Sequence, residues 1–185
     1  MDNALWAFGR VSGIISLLLF TGTVLLGILT RSGRPLLRIP RFSVALVHRN
    51  IALLATVFLI LHVGTLILDS YANLNLVDVV VPFLGSFKPF WQGLGTVAFD
   101  LLVAVVATSL LRHRIGQRAF RAVHWFSYAM WPIALAHAIG NGTNGTSPWF
   151  LLLSVGSLAV VGAALLWRVS ANFLETAKTR QGGLA

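Results

Sequence analysis

Five nearly unbroken apolar stretches divide this chain, near residues 5–30, 44–68, 91–111, 121–140 and 148–169. Each has about the 20 residues that a helix needs to cross a hydrocarbon core of about 30 Å. Backbone groups in lipid must be satisfied inside their own segment, so stretches of this length are helices. The pattern predicts an all-α fold, a polytopic membrane bundle of five transmembrane helices. No repeat or second domain interrupts it, so residues 1–185 read as a single domain.

The polar positions lie in the links. Arg31, Arg34, Arg38 and Arg41 fill the first, Arg112, Arg114 and Arg118 a later one, and Lys178 and Arg180 the tail. The 69–90 link carries Asp69, Asp78 and Lys88, and the 141–147 link carries no charge. The positive-inside rule then sets the N-terminus outside and the C-terminus in the cytoplasm. The run from Asn73 to Phe83 is apolar for an exposed loop and reads as a lid in the outer interface. Two N-x-Thr patterns within Asn141–Thr146 are explained more simply by a tight glycine-rich turn.

Composition narrows the class. The chain is 57% hydrophobic and only 10% charged, which fits an integral membrane protein. Its net charge of +9 is explained by orientation in the membrane, since the basic residues cluster at span ends, and nucleic acid is not expected as a partner. The absence of cysteine excludes disulfides, thiolate metal sites, iron–sulfur clusters and covalent haem attachment. No cleavage site follows the first apolar run, so it reads as a retained span. Arginine makes up twelve of the fourteen basic residues, a hint of a GC-rich genome. A bacterial cell membrane is the expected location.

Four of the five histidines fall inside these spans. His48 and His62 are 14 residues apart, and His124 and His137 are 13 apart. Fourteen residues make nearly four helical turns, so the first pair shares a face, with Ile51, Ala55 and Leu59 between. The 13-residue spacing is out of phase, and a kink at Pro132 would correct it. The predicted topology makes the two histidine-bearing helices parallel and brings His48 level with His124, and His62 level with His137. Two stacked metal centres suit that geometry, as does a wire for electrons. The alternatives are four buried structural histidines, or a zinc or copper site, which would want ligands converging on one point. Met130 and Trp131 lie between the second pair, either filling the gap between centres or packing the core.

The paired spacings, with the run Thr108-Ser-Leu-Leu-Arg-His-Arg-Ile-Gly116 and then Phe120-Arg-Ala-Val-His124-Trp125, resemble the ferric reductase-like transmembrane domain. That superfamily includes NADPH oxidases, ferric reductases and the haem-binding membrane subunit of methionine sulfoxide reductase. The resemblance implies two non-covalent b haems. His48 and His124 would be the axial ligands of an inner haem iron, and His62 and His137 those of an outer one. It also sets Arg10 at an outer-haem propionate, with Asp100 as the rival partner. The cytoplasmic arginines read mainly as setting orientation, with Arg49 or Arg121 beside the histidines as additional partners of inner propionates, and His113, among arginines in a link, reads as solvated.

No counterpart of the oxidases' flavin and nicotinamide module is expected in this chain. The string Gly93-Leu-Gly-Thr-Val-Ala98 matches a dinucleotide fingerprint by letters only, so no FAD or NAD(P) site is expected in this chain. The implied function is electron transfer from a cytoplasmic flavin reductase or membrane quinol to an extracytoplasmic redox protein or small acceptor, as the membrane subunit of an oxidoreductase. Direct reduction of iron or oxygen at the outer haem is one alternative. A haem-free scaffold of a membrane complex is another.

Overall fold

A computed structural model describes residues 2–32, 40–70, 72, 74–170 and 173. Seven helices follow one another: α1 (Asp2–Arg31), α2 (Arg41–Leu68), α3 (Leu76–Val80), α4 (Pro89–Leu110), α5 (Arg112–His124), α6 (Ser127–Asn141) and α7 (Pro148–Val169). No strand occurs among the described residues. Arg34, Arg38, Asn73, Lys178 and Arg180 lie outside them, as does the side chain of Arg41.

Four helical stretches are long and apolar enough to cross a membrane: Ala4–Arg31, Phe42–Leu68, Pro89–Leu110 and Pro148–Val169. The expected span at 121–140 takes a different form. Its first residues belong to α5, which also absorbs the expected 112–118 link. Residues 125 and 126 form a turn, and α6 begins only at Ser127. With 15 residues, α6 is about 22 Å long, short of a full hydrocarbon core. Pro132 lies inside α6 and the helix runs through it, so the interruption lies beside His124 and not at the proline. Helix α5 buries none of its residues and is itself broken at Gly116, whose φ of 83° suits a residue without Cβ.

Helices α1 and α2 form an antiparallel pair with a repeating seam. Gly9 meets His62, Ser16 meets Ala55, and Thr23 meets His48. Seven residues forward on α1 correspond to seven back on α2, the repeat of a left-handed helix pair. The α1 side of the seam is Gly9, Gly13, Ser16, Phe20, Thr23 and Gly27, with small residues at every position but one. Small residues let helix backbones approach in lipid, where the hydrophobic effect does not drive helices together. At mid-height Ser16 Oγ donates to the Ala55 carbonyl at 3.0 Å, and Ala55 has no exposed surface.

The other helices close around this pair. Leu17, Phe20, Val24 and Ile28 of α1 form one core with Ala98 and Leu102 of α4, Met130, Trp131 and Leu135 of α6, and Phe150 and Val161 of α7. Trp131 Nε1 donates to Thr21 Oγ1 at 2.9 Å, tying α6 to the middle of α1. Helix α6 runs back alongside α4, so that His137, near its end, reaches the carbonyl of Trp91 at the start of α4.

Candidate functional site

The fold brings the four span histidines together in two pairs, one at each end of the bundle. At one end His48 of α2 faces His124 of α5, with ring centroids 6.4 Å apart and planes at 73°. At the other, His62 of α2 and His137 of α6 line the same cavity of about 310 Å³. Fourteen residues of α1, or about 21 Å of helix, separate the levels of Gly13 and Gly27 beside which His62 and His48 sit.

One device holds three of these rings. His62 Nδ1 lies 2.6 Å from the Gly9 carbonyl, His48 Nδ1 2.9 Å from the Thr23 carbonyl, and His137 Nδ1 2.8 Å from the Trp91 carbonyl. A carbonyl only accepts, so each Nδ1 carries the proton and donates, and each Nε2 keeps its lone pair. Four residues after each carbonyl stands a glycine, one helical turn on, with the ring lying against it. A Cβ at Gly13 would meet His62 Nδ1 at 2.8 Å, one at Gly27 would meet His48 Cε1 at 3.2 Å, and one at Gly95 would meet His137 at 2.6 Å. The neighbouring helix thus provides an acceptor and a hollow for each ring. Hydrogen bonding of the second ring nitrogen to a carbonyl is how metal-bound histidines are commonly oriented.

His124 is held differently. It ends α5, and its carbonyl accepts the Ser127 hydroxyl at 2.7 Å. Its Nδ1 is buried and has no hydrogen-bond partner. Phe120 packs at 5.2 Å between ring centroids. The interruption of the chain just after His124 removes it from the antiparallel register of α4 and α6, so it meets no carbonyl and glycine of α4.

Among the described residues no three His, Asp or Glu side chains gather as a metal site. A metal held between either histidine pair would therefore take its remaining ligands from something other than these side chains. The spacing at the His48 end fits a metal so held. Two metal–imidazole bonds of about 2.0–2.1 Å and two ring radii of about 1.2 Å span about 6.4–6.6 Å.

The cavity at the His62 end also takes in Arg10, Asp78 and Lys88. Arg10 lies over the Trp6 ring at 4.6 Å. Asp100, its expected rival partner, is exposed on α4, and no ion pair joins the two among the described residues. Asp78 belongs to α3, in the expected lid. Its Oδ2 accepts the Asn75 backbone N–H at 3.1 Å and the Asn75 amide at 3.3 Å, and its carbonyl accepts the Thr96 hydroxyl at 2.7 Å. The lid is thereby fixed to α4 as one wall of the cavity. At the other end Arg49 and Arg121 are exposed, as is His113, which accepts from Arg112 Nε at 3.4 Å.

The glycines are what reading the sequence missed. Gly13 and Gly27 are 14 apart, the same interval as His48 and His62, and that equality was the available signal of an antiparallel match. The letters of Gly93-Leu-Gly95 have a packing role, since Gly93 receives the Phe83 ring and Gly95 the His137 ring.

A family model described as ferric reductase like transmembrane component matches residues 12–135. The match runs from α1 into α6 and includes His48, His62 and His124, ending two residues before His137. No curated protein and no solved structure matches the chain.

Proposed function

Because the chain belongs to the ferric reductase-like transmembrane family, we propose that it conducts electrons across a membrane through two b haems bound by histidine pairs. The donor is a cytoplasmic flavin reductase or membrane quinol, and the acceptor is an extracytoplasmic redox protein or small molecule. His48 and His124 ligate the inner haem iron, and His62 and His137 the outer one. Arg10 faces an outer-haem propionate.

The observation that carries this reading is the shared orientation of His48, His62 and His137. Each gives its Nδ1 proton to a backbone carbonyl, which leaves Nε2 as the ligand atom and raises its basicity. The glycine beneath each of these three rings lets it lie close enough to its carbonyl to be held in that orientation. When bound, a haem supplies one-electron chemistry at iron. The chain's own work would be to orient the rings and hold each iron with two histidines, which favours transfer over substrate binding at iron.

Helix α6 serves as the fifth crossing. In this reading it returns the chain from the Leu110 end of α4 to the Trp91 end, which the His137–Trp91 contact supports. Arg112, Arg114, Arg118 and Arg121 of α5 then lie on the cytoplasmic face, with the N-terminus outside and the C-terminus inside. The α3 lid, fixed to Thr96, favours relay over direct reduction of iron or oxygen at the outer site.

A reduced-minus-oxidised spectrum of the purified protein tests the proposal. Two low-spin b haems per chain are expected. His62→Ala and His137→Ala should each remove one of them, and His48→Ala and His124→Ala the other. A protein without haem would leave the scaffold reading standing. In proteoliposomes, reduction should require an added flavin reductase or quinol, and rapid reduction by NADPH alone would overturn the relay.

A further inference from the structure

We infer that Lys88 forms, beside Arg10, a second cationic seat for a carboxylate of the ligand in the His62-end cavity. This rests on the two-haem reading, in which that carboxylate is a haem propionate. The orientation proposed above leaves only two basic residues on the outer side, Arg10 and Lys88. They are distant in sequence and belong to different helices, yet both line the cavity that holds His62 and His137.

Neither cation has a carboxylate partner among the described residues. Arg10 lies over Trp6, and Lys88 Nζ donates to the neutral carbonyl of Gly140 at 3.0 Å. Asp78, the acid of the same cavity, already accepts two hydrogen bonds from Asn75. Lys88 is exposed and Arg10 half-buried, and both line the cavity that an anionic ligand would enter.

The place of Lys88 in the backbone points the same way. It is the N-cap of α4 and has left-handed φ and ψ of 42° and 60°. Glycine or asparagine suits that conformation better. Its side chain caps nothing, and a positive charge opposes the dipole at a helix N-terminus. Local backbone preference thus argues against lysine twice. Residues that break local rules in this way are most often retained for a site.

The test uses the full chain in a His48→Ala background, which retains only the haem at the His62 end. The stripped protein is reconstituted either with haem b or with its dimethyl ester, which has no carboxylate. Lys88→Gly relieves the left-handed backbone, so the melting temperature should hold or rise. Haem b should nevertheless leave about fivefold faster to an acceptor apoprotein, the scale of an exposed charge pair, and its midpoint potential should fall. Lys88→Arg should behave as the parent. With the dimethyl ester, Lys88→Gly should make no difference. Lys88→Asn, which also tolerates this conformation, repeats the measurement independently. Equal retention and potential in Lys88→Gly would overturn the inference. So would an equal loss with the ester, which would assign Lys88 to holding Gly140. A parent protein that takes up no haem at all would instead sink the two-haem reading itself.

Discussion

Adding a single methyl group to the glycines beneath the histidine rings should separate the two haem sites. At Gly13 the new Cβ would lie 2.8 Å from His62 Nδ1, whereas ordinary contact begins at 3.4 Å. The ring must retreat from α1 by about 0.6 Å, which stretches the 2.6 Å contact with the Gly9 carbonyl towards 3.2 Å, the outer edge of a hydrogen bond. At Gly95 the Cβ would lie 2.6 Å from His137, so the displacement is larger. At Gly27 the nearest atom is His48 Cε1 at 3.2 Å, and a shift of about 0.2 Å suffices. Losing the partner of a ligand histidine commonly costs 10–100-fold in affinity. Overpacking costs about 1–3 kcal/mol, which is the same scale. Gly13→Ala and Gly95→Ala should therefore weaken the outer haem by about 10–100-fold and leave the inner one in place. Gly27→Ala should weaken the inner haem by less than about tenfold. The assay is spectral titration of haem into stripped protein, with the histidine variants identifying each component. If Gly13→Ala bound both haems as the parent does, or if Gly27→Ala proved the more damaging, the cradle argument would be wrong.

Three further outcomes follow from the same geometry. His124 lacks the carbonyl acceptor that its three counterparts have, so the inner haem should bind the more weakly in a spectral titration of haem into stripped protein. An equal or tighter inner site would contradict this. A reporter fused to the C-terminus should read cytoplasmic and one inserted at Asn141 external, and the reverse would exchange the inner and outer sites. Thr21→Val leaves the buried Trp131 indole N–H without its acceptor and should cost about 1–3 kcal/mol in stability. Trp131→Phe in the same chain should recover part of that loss, as measured by detergent melting.

Legibility differed between elements for physical reasons. The 148–169 stretch folds as α7 over that range, and α1, α2 and α4 begin or end within three residues of their apolar runs. Continuous hydrophobicity bounded by arginine, proline or aspartate leaves little freedom. The 121–140 stretch was the exception, because apolar residues continue through the turn at Trp125 and Phe126. Neither glycine nor proline marks that turn, and the proline that is present, Pro132, lies within an uninterrupted helix. Lipid-facing positions accept an apolar residue in either conformation, so hydropathy is blind to a break there. The site was legible in part. Histidines are conspicuous in an apolar background, and the matched 14-residue interval gave their shared face. The carbonyl acceptors are backbone atoms with no letter of their own, and Lys88 read as an ordinary loop charge because its left-handed backbone is set by the fold.

The seam of α1 shows why packing and ligand geometry cannot be improved separately in this chain. Gly9, Gly13, Thr23 and Gly27 are small so that α1 and α2 can approach, and the same positions supply the acceptors and hollows for His62 and His48. At mid-height Ser16 instead donates to the Ala55 carbonyl, and Phe20 packs in the core. In a soluble bundle, larger residues at such positions would add buried area and stability. Here a Cβ at Gly13 or Gly27 would be driven against a histidine ring, and one at Gly9 against Thr65. Substitutions chosen from the sequence to strengthen this helix pair by enlarging Gly13 or Gly27 should therefore exchange haem affinity for packing.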